Sequence, residues 1–208
     1  MSELPRRIEG TQHREAITSS READRGQHYR DLLGQYQSER LAGRPELQPA
    51  IEIPPPLSRA EPMPVKEMEP RMSKMDADHG VQYLSPEERE EYRAVVHEGK
   101  VYGADGLPLD TSRSQSLHHG AGFAIYVMDS NGNTYISPTH EFGSFHHSSF
   151  LAGEAVAGAG EMKIREGRVE ALSNTSGHYR PDGEYLKRVA DELNRQGLTI
   201  TKDQLHEW

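Results

Sequence analysis

The chain has 208 residues, a net charge of −9, 34% hydrophobic and 27% charged residues, a mean hydropathy of −0.83 and no cysteine. The missing cysteine excludes disulfides, thiolate zinc sites and cysteine nucleophiles. The acidic balance, with no basic stripe, excludes a phosphate-neutralising nucleic-acid face. So low a hydropathy cannot offset the entropy of ordering the whole length, and part of the chain is expected to be disordered.

The opening residues, MSELPRRIEGTQHREAITSS, lack the apolar core of a cleavable signal peptide. No apolar run reaches membrane-spanning length. They read as a polar leader, compatible with a cytoplasmic protein or with export by a dedicated secretion system. Over residues 1–44 only Leu32, Leu33, Tyr36 and Leu41 form a helical stripe, marginal without tertiary packing. Residues 45–70 are proline-rich and read as an extended linker. The expected organisation is a disordered leader and linker over 1–80 and a single α+β domain over 81–208. That domain is an antiparallel sheet of hairpins with a few packed helices.

Within the folded part, Ser85-Pro86-Glu87-Glu88 is a helix start, with Ser85 as cap and Glu88 closing a capping box. Tyr92, Val95 and Val96 supply an apolar face on this helix or at its exit. Lys100 to Leu109 reads as a hairpin around Asp105-Gly106. Phe123 to Met128 is a strand, Asp129 to Asn133 a turn, and Thr134 to Ile136 the returning strand. The turn resembles a calcium loop, but its twelfth position is His140 and its flanks are strands, so the hairpin is preferred. Met162 to Arg165 and Arg168 to Leu172 form a second hairpin about Glu166-Gly167. After Pro181, Leu186, Val189, Ala190 and Leu193 mark an amphipathic helix that Gly197 is placed to stop. Leu198-Thr199-Ile200 reads as an edge strand.

The chemistry-bearing segment is Gly143 to Pro181. Its first block, Phe145-His146-His147-Ser148-Ser149-Phe150-Leu151, is either a short helical turn ended by Gly153 or a strand. Either geometry sets a histidine beside a hydroxyl. The run Ala155 to Gly160 permits close approach by a ligand or another strand. Ser176-Gly177-His178-Tyr179-Arg180 adds a second polar block. Three readings follow from these residue types. Metal binding is weakly supported, because adjacent histidines seldom ligate one ion and no helical His-x-x-x-His is present. Acid–base or nucleophilic catalysis would use His146, His147 or His178 with Ser148 or Ser149, and Glu154 or Glu161 in support, although no Gly-x-Ser-x-Gly elbow exists. The same grouping suits a nicotinamide–ribose site. In the third reading these polar groups satisfy buried backbone, and Phe150 and Tyr179 are core.

The two blocks, with the intervening Ala-Gly run and hairpin and the upstream Tyr83-Leu84-Ser85-Pro86-Glu87-Glu88 and Ile125-Tyr126-Val127-Met128, resemble the shared globular region of plant IQ-motif calmodulin-binding proteins. The resemblance covers about 83–205. A related domain of bacterial secreted effectors and polymorphic toxins is also similar, and the short polar leader matches that setting. The resemblance implies the domain and makes its motif positions candidates. His146, His147, Ser148, Ser149 and His178 are the catalytic candidates; Gly153, Glu154, Glu161, Ser176, Gly177, Tyr179 and Arg180 are the ligand-binding ones. No metal site is assigned. One departure is clear: the nearest isoleucine-glutamine-like stretch, Tyr36 to Arg44, has a Gln-to-Arg spacing one residue short. The main expectation is an effector- or toxin-like domain, with transferase or glycohydrolase chemistry on a nicotinamide nucleotide. The alternative is a non-enzymatic protein-interaction module that docks calmodulin or another partner, such as a host target. Neither reading involves nucleic acid or membrane.

Overall fold

Every side chain of the strand Ala124–Met128 is buried, and the rest of the fold is arranged around it. The computed structural model describes residues 27–38 and 49–208. The strands are β1 (Arg93–His97), β2 (Lys100–Tyr102), β3 (Ala124–Met128), β4 (Thr134–Ser137), β5 (Gly158–Arg165), β6 (Arg168–Ser173) and β7 (Leu205–His206). They form one sheet in the order β2-β1-β4-β3-β5-β6-β7. All pairings are antiparallel except β6–β7, which is parallel. The helices are α1 (residues 27–38), α2 (Pro70–His79), α3 (Pro86–Arg89), α4 (His147–Phe150) and α5 (Gly183–Arg195). The fold is therefore α+β. Among the described residues no helix is long and apolar enough to cross a membrane.

Strand alternation divides β3 between two cores. Ala124, Tyr126 and Met128 face Leu186, Val189, Ala190 and Leu193 of α5. Ile125 and Val127 face Phe145, Phe150, Leu151 and Tyr179, and there Tyr29 and Leu33 of α1 close the cluster. The interiors of the Ala-Gly run follow from this packing. A Cβ on Gly158 would lie 2.2 Å from Val189 Cγ2, and one on Gly160 would lie 1.9 Å from the Ser173 carbonyl oxygen. The run thus admits a helix and a neighbouring strand.

The local signals hold where turn chemistry is explicit. Glu166 and Gly167 both have positive φ (48° and 80°), as a two-residue hairpin turn requires. The Ser85 hydroxyl accepts from Glu88 N–H and the Glu88 carboxylate accepts from Ser85 N–H, completing the capping box. The helix it starts lasts only four residues, so Val95 and Val96 lie on β1. The β1–β2 turn is at Glu98-Gly99, one step before the Asp105-Gly106 turn, which closes a smaller loop bridged at Tyr102 and Pro108. Leu198-Thr199-Ile200 is not a strand; Leu198 and Ile200 bury their side chains under α5, and the edge strand is β7. Residues 107–111 curl the sheet on itself. Thr111 N–H donates to Ile164 O, Gly167 N–H to Leu109 O, and Val101 N–H to Gly167 O.

The proline-rich stretch, read from its composition as a linker, is a docked strap over the described residues 49–69. Leu57 N–H donates to the Asn133 side chain, whose amide returns a bond to Leu57 O. Lys66 and Val156 exchange backbone hydrogen bonds, and Tyr185 OH donates to Val65 O. Arg59 pairs with the buried Glu192 at 2.7 Å. Prolines remove intrinsic helix and ladder donors, but they leave carbonyls and intervening N–H groups that loops elsewhere can clasp. The strap leads into α2, which ends at Gly80 in the left-handed conformation. Of the expected leader, residues 1–26 and 39–48 lie outside the described residues.

Candidate functional site

The two sequence blocks meet on the α4 side of the sheet, in a buried cluster of histidines. The backbone enters α4 through His146, whose N–H donates to Ser149 Oγ at 3.0 Å. The block therefore takes the helical alternative, with Gly153 at φ 80° just beyond it. His146 Nε2 accepts from Gly143 N–H at 2.9 Å. His147 is fully buried and its Nε2–H donates to Gly160 O at 2.9 Å, which leaves Nδ1 with a lone pair and no partner. Both rings are neutral: burial pushes His146 down to about 4 and His147 well below its ordinary 6.5, and neighbouring histidines add to the effect.

His146 packs against His178 at a ring separation of 4.6 Å. His178 Nε2 bonds Asp76 Oδ1 of α2 at 2.9 Å, with both side chains buried. Burial would raise the Asp76 carboxyl, but His178 and the Tyr83 hydroxyl, 3.1 Å away, hold it below 3.8. The Ser148 hydroxyl contributes to that field but makes no hydrogen bond of good geometry, and it is buried without a partner. Thr175 Oγ1 and Ser176 Oγ are also buried without partners.

A third set of residues extends the cluster to the surface. His140 touches the rings of His146, His147 and His118. Its Nδ1 accepts from Leu117 N–H, and burial lowers it to about 3. Glu161 lies beside it, fully buried on β5. Glu161 Oε2 accepts from Ser116 Oγ–H at 2.7 Å, from His119 Nδ1–H at 2.6 Å and from His119 backbone N–H at 3.3 Å. Glu161 Oε1 has no hydrogen-bond partner. It is 3.8 Å from His140 Nδ1, but that nitrogen is itself an acceptor, so the contact is not an ion pair. His119 is 31% exposed and stacks on Phe123 at 4.8 Å. Three large apolar side chains on this side of the cluster, Leu117, Phe142 and Trp208, are 50%, 72% and 66% exposed and make up its apolar rim. Trp208 touches His118 and Phe142 touches His146.

The structure links His146, His147 and His178 through ring contacts that include His140, keeps Ser148 and Ser149 on the same turn, and sets Glu161 beside His140, while Ser176 is buried in the loop before His178. It places Tyr179 in the core, with its hydroxyl on Glu154 O. Glu154 and Arg180 are exposed, Gly177 is half-buried, and Gly153 serves the exit of α4. Sequence reasoning missed Asp76, Ser116, His118, His119, His140 and the rim. A second histidine pair inside the Ser/Gly-rich Ser114 to Gly122 was the one available signal. Among the described residues no three His, Asp or Glu side chains are arranged to hold a metal ion.

Residues 88–186 match the family model described as the IQ motif-containing protein middle domain. The chain is 36% identical over 61% of its length to IQ domain-containing protein IQM3 of Arabidopsis thaliana, covering 27% of that protein. It is 32% identical to IQM1 and 34% identical to IQM2 of the same plant, over 58% of its length in each case and 23% and 20% of theirs. The chain spans about a quarter of the length of the curated relatives it matches. No solved structure matches it. These matches bear out the resemblance to plant IQ-motif proteins over the folded region. They overturn the reading of a secreted bacterial effector or toxin, and the transferase or glycohydrolase chemistry attached to it, because the matched relatives are plant IQ-domain proteins.

Proposed function

We propose that the domain is a non-enzymatic protein-interaction module, with calmodulin as the first partner to test. The observation that carries this reading is the match of residues 88–186 to that middle domain. The rim supports it. Three large apolar side chains, Leu117, Phe142 and Trp208, stand exposed beside a cluster in which His140, His146 and His147 are packed and neutral. Aromatic anchors over a sealed base suit partner docking. Helix α1, which carries Tyr36 and Gln37, already engages the domain through Tyr29 and Leu33, and Tyr36 OH bonds Asp110 O. The rest of that IQ-like stretch, 39–44, lies outside the described residues. The docking surface we propose is the one presented by Leu117, Phe142 and Trp208.

The test is a calorimetric titration of the full chain with calmodulin, with and without calcium, at 0.15 M salt. Binding is expected in at least one calcium state, and Phe142→Ser with Trp208→Ser is expected to weaken it about tenfold or more, as truncated anchors do. Binding that survives both substitutions moves the surface off the rim. No binding in either calcium state refutes the reading.

A further inference from the structure

Glu161 and His119 use none of the docking surface's apolar character, yet they are built with unusual care. A carboxylate is costly to bury unless it is bonded. Here it is fully buried, and one of its oxygens collects three donors, two of them from His119. The bond to His119 Nδ1–H fixes the ring's tautomer. Nε2 becomes the lone-pair nitrogen, on the side of the ring away from the carboxylate, and it makes no hydrogen bond among the described residues. Stacking on Phe123 fixes the plane of the ring. This is the orienting half of an acid–base dyad: a buried carboxylate holds an imidazole, and the free nitrogen faces solvent. The second oxygen, Glu161 Oε1, is buried and unpartnered in the same place. A built polar atom without a partner marks a position for a water or for a ligand donor.

We propose that His119 is a general base, positioned by Glu161, for the hydrolysis of neutral esters with an apolar body. Water adds to the ester carbonyl carbon while His119 Nε2 takes one of its protons. When the carbon–oxygen bond to the leaving group breaks, the imidazolium returns that proton to the leaving oxygen, giving one acid and one alcohol. Glu161 stabilises the imidazolium between the two transfers and is not itself consumed. The substrate class follows from the surroundings. Phe123, stacked on the His119 ring, offers apolar contact. The nearest fixed charge is a carboxylate, which repels phosphates and other anions.

The probe is p-nitrophenyl acetate with the full chain at neutral pH. Wild-type protein is expected to hydrolyse it at least about tenfold faster than His119→Gln, within the range of general-base effects. His97→Gln, which removes an exposed histidine 3.9 Å from the surface residue Glu98, is expected to match wild type. Equal rates for wild type and His119→Gln, or an equal fall in His97→Gln, overturn the proposal. Long-range proton–nitrogen NMR supplies a readout independent of turnover. His119 is expected as the Nδ1–H tautomer in wild type and to lose that preference in Glu161→Gln, and an Nε2–H tautomer in wild type overturns the assignment. If Glu161→Gln unfolds, the His119→Gln rate and the wild-type tautomer still decide.

Discussion

Three buried neutral histidines make the fold acid-labile in a window that can be calculated. His140, His146 and His147 all titrate well below their ordinary 6.5, chiefly because burial disfavours their charged forms. In the unfolded chain each takes up its proton near 6.5. Below that pH the unfolded state binds more protons than the folded one, so stability falls as pH falls. The loss continues down to about 4 for His146 and about 3 for His140. Between pH 7.0 and 5.5 each ring withdraws about 1.2 kcal/mol, by the linkage relation. All three together withdraw about 4 kcal/mol, a large share of the ~5–15 kcal/mol typical of a native protein. The carboxylates do not blur the window. Asp76 and Glu192 are held below their ordinary values, so their contributions are complete above those values and are lost only as pH falls further. Urea unfolding at pH 7.0 and 5.5 measures the effect directly, and a melt should fall by about 8–15 °C over the same interval. His140→Gln should reduce the pH-dependent loss by about a third, whatever it does to stability at pH 7.0. A loss below about 1 kcal/mol between the two pH values would show that the rings are solvated and refute the reasoning.

Asp76→Ala leaves His178 Nε2 and the Tyr83 hydroxyl without their buried acceptor, and should cost about 3–5 kcal/mol in denaturant unfolding, while exposed Asp78→Ala costs less than about 0.5 kcal/mol. An unchanged Asp76→Ala midpoint would mean that α2 is not docked in solution. Gly160→Ala sets a methyl against the Ser173 carbonyl, a backbone atom that cannot rotate aside, and should destabilise by about 3 kcal/mol or more; a melt within 2 °C of wild type contradicts the strand packing described.

What the sequence made legible was local. The turns Asp129 to Asn133 and Glu166-Gly167 announce their hairpins through Gly132 and Gly167, which take the positive φ (91° and 80°) that these turns need. Helix α5 is announced by Leu186, Val189, Ala190 and Leu193, with Asp182 accepting from Glu184 and Tyr185 N–H at its start. What stayed hidden depends on partners distant in sequence. Asp76 looks like one more charge in a polar linker until His178, 102 residues later, turns it into a buried acceptor. His119 meets Glu161 across 42 residues, and neither has a flanking motif. Strand β7 is two residues long and parallel to β6, too short for any alternation to show. The polar density of the histidine–serine block reflects burial: most of its polar atoms face protein.

The clasped strap also sets an order of assembly. Its more distant anchors are the Asn133 side chain, Val156, Tyr185 and Glu192, which follow their partners in the strap by 76 to 133 residues. During synthesis, at about 5–20 residues per second, residues 49–69 leave the ribosome several seconds before the last of these surfaces exists. The loops that must close are long, and long-range contacts form late because their closure entropy is met before they are rewarded. The strap is the first of these parts to be made and the last to find its place. Its prolines suit that wait, since a segment with few free N–H groups is a poor template for pairing with another chain.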